Sequence, residues 1–307
     1  MILSSVLLFS GLAYAQFGGQ NVSNITSTDC PQNGGAHIIV ARASLEAPGY
    51  GTIGNVKDKV LSRVPGSNAQ FINYPATLND YFNSESDGVV AMRMQINDYI
   101  NKCPSSLPLV LMGYSQGAQV VADSIAGQQV QGFPKNSSIE QPLPASTISR
   151  IAAVVIMGDP TFLTNETFHV GNATKNGLFP RQDASNFNVG GLASRMKSYC
   201  DANDPYCASG NLSTGLSVHI GYVGEYGVQA EDFVVQQIKA YSANGTSGGN
   251  ATGTGSGSGS GNGGMSSGSS SSSGMPAQYT GAASMVQKEM LSVASVAGLV
   301  GMMVAML

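Results

Sequence analysis

One pentapeptide in the sequence is suited to nucleophilic chemistry: Gly113-Tyr114-Ser115-Gln116-Gly117. It is a G-x-S-x-G sequence set between an apolar run, Leu107 to Met112, and a segment of helical spacing, Gln116 to Ala126. Small residues around Ser115 permit a sharp strand-to-helix turn that lifts the hydroxyl out for attack. Alone, the pentapeptide is a weak signal in a glycine-rich chain; between a strand and a helix it is strong. A serine nucleophile needs a base, and the base needs an acid to orient it. His37 begins a strand ahead of the first crossover, and His169 sits in a loop between two glycosylation sequons. His219 alone comes late enough for the chain order Ser, Asp, His. For the acid, Asp201 and Asp204 compete within Cys200-Asp201-Ala202-Asn203-Asp204-Pro205-Tyr206-Cys207. Asp159, just before Pro160, is a third candidate and reads better as a turn residue. Two cysteines seven apart can close a small loop and so fix whichever carboxylate it carries.

These residues need a frame, and the hydrophobic pattern supplies one. Short apolar runs at His37 to Arg42, Phe71 to Tyr74, Leu107 to Met112, Ile151 to Met157 and Met196 to Tyr199 read as five strands. Helical spacing runs through Ile53 to Val64, Val89 to Ile100, Gln116 to Ala126 and Phe233 to Tyr241. Apolar strands alternating with amphipathic helices predict a three-layer α/β/α sandwich around a mainly parallel five-stranded sheet. In such sheets the chemistry collects at the carboxyl ends of the strands.

Charge and composition remove other classes. Fourteen Lys and Arg against 18 Asp and Glu give a net charge of −4, with no basic run. That argues against nucleic acid or an acidic membrane surface as partner. Four cysteines without a Cys-x-x-Cys pair, and only three histidines, argue against a structural zinc.

The ends of the 307-residue chain read as addresses. Residues 1–15 form an apolar stretch running into Ala13-Tyr14-Ala15, the pattern of a secretory signal peptide, although the basic start is missing. A buried first strand is the alternative. Residues 16–27 then form a short segment carrying the sequons Asn21 and Asn24, ahead of a domain over 28–241. Residues 242–281 carry no charge, and Gly245 to Gly274 is almost all Gly, Ser, Thr and Asn, a composition that cannot bury enough apolar surface to order itself. They read as a tether. In 282–307 a short polar spacer leads into an apolar tail, the layout of a signal for a glycosylphosphatidylinositol anchor. Gly281 is the candidate attachment residue, with Ser284 and Gly274 as alternatives. The rival reading is a tail-anchoring transmembrane helix, but the segment barely spans a bilayer and no positive residue follows it. Eight Asn-x-Ser/Thr sequons, at Asn21, Asn24, Asn136, Asn165, Asn172, Asn211, Asn244 and Asn250, suit a glycosylated protein outside the cell.

From about Cys30 to Tyr241 the chain resembles the cutinase and acetylxylan esterase family of secreted serine esterases, carbohydrate esterase family 5. The matching stretches are Ala41-Arg42-Ala43-Ser44, Pro48-Gly49-Tyr50-Gly51, Asn73-Tyr74-Pro75-Ala76 and the Ser115 pentapeptide. Met157-Gly158-Asp159-Pro160, Lys197 to Asp201, Asn203 to Cys207 and Gly224-Glu225-Tyr226-Gly227 continue the likeness. The resemblance implies a cutinase-like α/β-hydrolase fold and chooses Asp204 over Asp201, because the family's acid sits four residues after the first cysteine of the small loop. It also implies the pairing Cys30 with Cys103 and Cys200 with Cys207. Many acetylxylan esterases carry a further cysteine directly after the small loop, where this chain has Ala208.

The backbone N–H of Gln116, the residue after the nucleophile, should face the developing oxyanion. The resemblance adds Ser44, in the loop after the first strand, as the second donor. The expected function is hydrolysis of short acyl esters, acetate above all, on cell-wall polysaccharide such as acetylated xylan. It would proceed through an acyl-enzyme, need no cofactor or metal, and be carried out by a monomer held to the membrane only through its lipid. A cutinase-type polyester hydrolase is the alternative, with Leu178, Phe179, Leu212 and Leu216 as a candidate apolar rim. An idle surface adhesin on the same fold is the other.

Overall fold

The computed structural model describes residues 23 and 25–247, apart from 33, 129, 131 and 135. The expected signal peptide, most of the tether, the anchor signal with Gly281, and the sequons Asn21, Asn24 and Asn250 lie outside the described residues, as does the side chain of Asn244.

Six strands form one sheet: β1 (His37–Ala41), β2 (Asn68–Phe71), β3 (Leu109–Tyr114), β4 (Ile151–Met157), β5 (His169–Val170) and β6 (Met196–Tyr199). Their order is β2-β1-β3-β4-β6-β5, and every neighbouring pair is parallel. The helices are α1 (Gly54–Arg63), α2 (Tyr81–Lys102), α3 (Gln116–Ala126), the single turns α4 (Ser137–Glu140) and α5 (Ala145–Ile148), α6 (Leu212–His219) and α7 (Tyr222–Ser247).

Alternation along the strands makes two cores. Ile39, Leu109, Leu111, Val154 and Ile156 point to one face, where they meet Val89, Met92 and Ile96 of α2 and Val120 and Val121 of α3. Ile38, Val40, Val110, Met112, Val155 and Met157 point to the other, against Val56 and Val60 of α1 and Val234 and Ile238 of α7. A strand buried on both sides carries apolar residues at consecutive positions, which is why β1, β3 and β4 were legible as unbroken runs. Fully burying each such side chain contributes about 1.5–3 kcal/mol.

The sheet departs from the expected five strands. β5 is only two residues long, half-buried, and pairs His169 with Ser198 and Val170 with Tyr199. Its partner β6 supplies the order, so no local apolar run marks it. β2 covers Asn68–Phe71 rather than Phe71 to Tyr74, because Asn68 and Gln70 interrupt the apolar pattern. α7 begins at Tyr222, eleven residues ahead of the expected Phe233, and continues past 241. α6 was not expected at all.

The order of the strands places the site. β1 and β3 are neighbours, with Ala41 opposite Gly113. From β1 the chain turns to α1 on one face of the sheet; from β3 it turns to α3 on the other. The loops after these two strands therefore diverge and leave a crevice at their carboxyl ends. Ser44 lies on one side of that crevice and Ser115 on the other.

Candidate active site

Ser115 sits between the last residue of β3 and the first of α3, with φ 54° and ψ −120°. Such a backbone is costly for a residue with a side chain and persists only where the surroundings impose it. Here they do. The Ser115 N–H bonds the Met157 carbonyl at 2.8 Å, while its own carbonyl starts α3 by accepting from Ala118 at 2.9 Å. α3 also lies very close to β1: a Cβ on Gly117 would stand 2.2 Å from the Ala41 carbonyl oxygen, and one on Gly113 2.2 Å from that of Gly117. The two glycines of the pentapeptide are thus required by close contact.

The candidate base arrives from far along the chain. His219 ends α6, and its Nε2 is 2.9 Å from Ser115 Oγ. Its Nδ1 is 2.8 Å from Asp204 Oδ2. The ring packs against Tyr206, with centroids 4.5 Å apart, and lies edge-on to Tyr114 at 5.9 Å. On its other side is Gly158, where a Cβ would come within 2.8 Å of His219 Cε1. The imidazole is held on all sides, so little ordering is left for the moment of reaction.

Asp204 has no exposed surface. Burial alone would raise its pKa, but the bond to His219, the Cys207 N–H and the Tyr222 hydroxyl outweigh it and hold the carboxyl below its ordinary range. Its Oδ1 accepts from the amides of Tyr206 at 2.7 Å and Cys207 at 3.0 Å, and its Oδ2 from Tyr222 at 2.7 Å. The loop that presents it is closed by the Cys200–Cys207 disulfide, with Cα atoms 5.9 Å apart. Cys30–Cys103 forms the second bridge.

The rival acids have other partners. Asp201 takes the Tyr226 hydroxyl at 3.0 Å on both oxygens and the Asn172 N–H at 3.0 Å. Asp159 accepts from the N–H and hydroxyl of Thr161 at 2.8 and 2.7 Å, and its other oxygen lies 3.8 Å from buried Arg181. The other histidines are similarly engaged. His37 stacks on Tyr99 at the amino end of β1, and His169 meets the Cys200 carbonyl oxygen at 3.0 Å.

The loop after β1 is braced from within. Arg42 donates to the Glu46 carbonyl at 2.9 Å and the Tyr74 carbonyl at 2.8 Å, and Tyr74 returns a bond to the Arg42 carbonyl at 2.6 Å. Glu46 accepts from the Ala43 N–H at 2.7 Å. Within this rigid loop the Ser44 hydroxyl oxygen is buried and has no hydrogen-bond partner. Buried hydroxyls are rarely left so. Gln116 is the first residue of α3, where a backbone N–H has no partner in its own helix. Its side chain is engaged elsewhere, reaching the carbonyls of Thr77 and Tyr81 at 3.3 Å each.

The cutinase family model matches residues 30–238. The chain belongs to the cutinase family. With it, the chain is a serine carboxylic-ester hydrolase. Acetylxylan esterase 2 of Talaromyces purpureogenus is 35% identical to this family member over 211 residues, covering 66% of this chain and 86% of the relative. Cutinase 11 of Verticillium dahliae is 33% identical over 245 residues, 77% of this chain and 78% of the relative. The catalytic core domain of an acetyl xylan esterase from Trichoderma reesei superposes with a TM-score of 0.60 at 36% identity, covering 68% of this chain and all of that one.

Two features of this cutinase-family site differ from, or go beyond, the reading of its sequence. Phe179 is not part of an apolar rim; it is buried against Tyr81 and Phe133, because an aromatic cluster under the crevice claims it. Leu178 and Leu212 are half-buried, and Leu216 is exposed. Tyr114, Tyr206 and Tyr222, all in contact with His219 or Asp204, carried no sequence signal beyond their place beside the catalytic candidates. Among the described residues, no group of three or more His, Cys, Asp or Glu is placed to hold a metal ion.

Proposed function

We propose that this chain is a secreted, surface-tethered esterase that removes short acyl groups, acetate above all, from cell-wall polysaccharide such as acetylated xylan. The observation that carries the catalytic part is the unbroken hydrogen-bond line from Ser115 Oγ through His219 to Asp204. His219 Nε2 takes the serine proton as Oγ attacks the ester carbonyl, within the distance that general-base transfer needs. The Gln116 N–H and the Ser44 hydroxyl receive the oxyanion, and Asp204 stabilises the imidazolium. His219 then gives the proton to the leaving sugar hydroxyl. Water, activated by the same nitrogen, releases the acid from the acyl-enzyme.

A carbohydrate ester is supported by the surroundings of the acid loop. That loop borders an open cleft of about 510 Å³ whose lining includes Thr174, Lys175, Asn203 and Ser209, groups suited to sugar hydroxyls. Exposed Leu216, one helical turn before His219, and the exposed Leu45 beside Ser44 favour the second reading, a cutinase-type polyester hydrolase.

Secretion, anchoring and glycosylation are supported by the sequence of the two ends and by the sequons. Of the sequons in the described domain, Asn165, Asn172 and Asn211 are exposed and Asn136 is half-buried. Release of the protein from intact cells by a phosphatidylinositol-specific phospholipase is the expected result; retention would favour a transmembrane tail.

The deciding experiment is hydrolysis of p-nitrophenyl acetate, butyrate and palmitate by the secreted protein beside Ser115→Ala. Turnover on acetate that falls steeply with chain length and vanishes in the variant is expected. Preference for butyrate or longer would move the reading to cutinase. No Ser115-dependent turnover from folded protein would leave a surface adhesin.

A further inference from the structure

We propose that the Tyr222 hydroxyl is a positioning group for the acid and base, fixing the Asp204 carboxylate and limiting the charge it lends to His219. The inference rests on the reading of Ser115, His219 and Asp204 as the catalytic residues.

Asp204 Oδ2 receives two donors, His219 Nδ1 at 2.8 Å and the Tyr222 hydroxyl at 2.7 Å. The direction of the second bond is settled by a third. The Asp201 N–H donates to the Tyr222 oxygen at 2.9 Å, so the phenolic proton is left to point at Asp204. Cys207 Sγ lies 3.3 Å from the same hydroxyl and, being in a disulfide, has no proton to offer. Tyr222 has no exposed surface, so no bulk water can take its place. Two charge-assisted bonds on one oxygen compete for the same negative charge, and what Tyr222 takes is lost to the imidazolium.

The other groups facing this pair act differently. From the acid loop, the Tyr206 and Cys207 amides occupy Oδ1, and the Tyr206 ring packs on His219. Tyr114 of β3 donates to the His219 carbonyl rather than to the ring, with Glu46 as a distant charge acting on its phenol. On α7, Tyr226 is engaged with the Asp201 carboxylate. Burial first, and then the Asp204 charge, push the Tyr222 phenol well above its ordinary range, so it remains a protonated donor across the pH range of the assay.

The test is the pH profile of Tyr222→Phe in the full secreted chain with p-nitrophenyl acetate. kcat should fall roughly tenfold, because the Asp204 carboxylate loses one of the bonds that hold it in line with His219 Nδ1, with KM unchanged. The acid limb of kcat/KM should move up by about half to one pH unit. The sign follows from the chemistry: with its competitor gone, Asp204 holds the imidazolium more strongly, and the free base appears at higher pH. A residue that merely fills space would lower Tm and leave the limb in place. Fluorotyrosine at position 222, a stronger donor of the same shape, should move the limb down, and it decides the matter if Tyr222→Phe fails to fold. An unmoved limb in whichever folded protein is measured overturns the inference. Asp204→Asn is run in parallel. Full activity there would sink the catalytic reading itself. Loss there, beside a parental Tyr222→Phe, would sink only the role of Tyr222.

Discussion

The Tyr114 hydroxyl donates to the backbone carbonyl of His219. Tyr114, directly before Ser115, thus holds the main chain of His219, although 104 positions separate Ser115 from His219. Tyr114 is buried at the end of β3, so the second residue of the pentapeptide is tied to the end of α6 through the sheet's own carboxyl edge. The hydrogen-bonded line from Ser115 through His219 to Asp204 is therefore anchored at its backbone as well as through its side chains. That second anchorage bears on how variants around the site should behave.

Ser44→Ala separates catalysis from stability. The Ser44 hydroxyl is buried without a partner, so its removal breaks no bond in the resting fold and Tm should be unchanged or slightly higher. As an oxyanion donor it should matter in the transition state alone, with kcat lowered on the order of a hundredfold and KM little changed. Steady-state kinetics beside a thermal melt would decide. An unaltered kcat would remove Ser44 from the oxyanion hole.

The two disulfides should fail in different ways. Cys30–Cys103 closes a sequence separation of 73, and Cys200–Cys207 one of 7. On the loop-entropy account the first contributes roughly 4 kcal/mol and the second roughly 2.5. Replacing the first pair by serines should lower the urea midpoint more while sparing the specific activity of the folded fraction. Replacing the second should cost less stability but most of the activity, because the amides of Tyr206 and Cys207 that orient Asp204 lie inside its loop. Equal loss of activity per folded molecule in both would contradict this division.

Stability should decline toward alkaline pH through Glu166. Burial, reinforced by the Asp159 charge, raises its pKa to about 8. The folded state therefore holds a proton that the unfolded chain releases near the ordinary glutamate value. Its contribution is fully present below that value and is lost as pH rises to about 8, at up to roughly 1.4 kcal/mol per pH unit. Melts from pH 5 to 9 should show Tm falling over this window in the parent and a flatter curve in Glu166→Gln. Parallel curves would show that Glu166 does not titrate there.

Much of this was open to reading in the sequence because it depends on neighbours along the chain. β1, β3 and β4 are buried on both faces and so appear as continuous apolar runs, and the Ser115 turn lies between one of them and a helix. Chain order alone singled out His219. The weak strand β5, the position of β2 and the start of α7 escaped, because each is fixed by a partner distant in sequence rather than by its own residues. The same holds for the fate of Phe179, which was equally plausible at a rim and in a core.

What the sequence determined by itself was the alternation of buried strands and helices and the strand-to-helix turn that carries Ser115, since periodicity and local turn chemistry are properties of contiguous residues. Between Asp201 and Asp204 the residues alone left the choice open, and a resemblance made it. The tertiary structure supplied the physical ground. Both carboxylates lie in one loop, but only Asp204 meets the imidazole, while Asp201 is turned to Tyr226 and the Asn172 amide. Which way a loop faces is decided by what packs beneath it, and here that is α7, folded from residues beyond both.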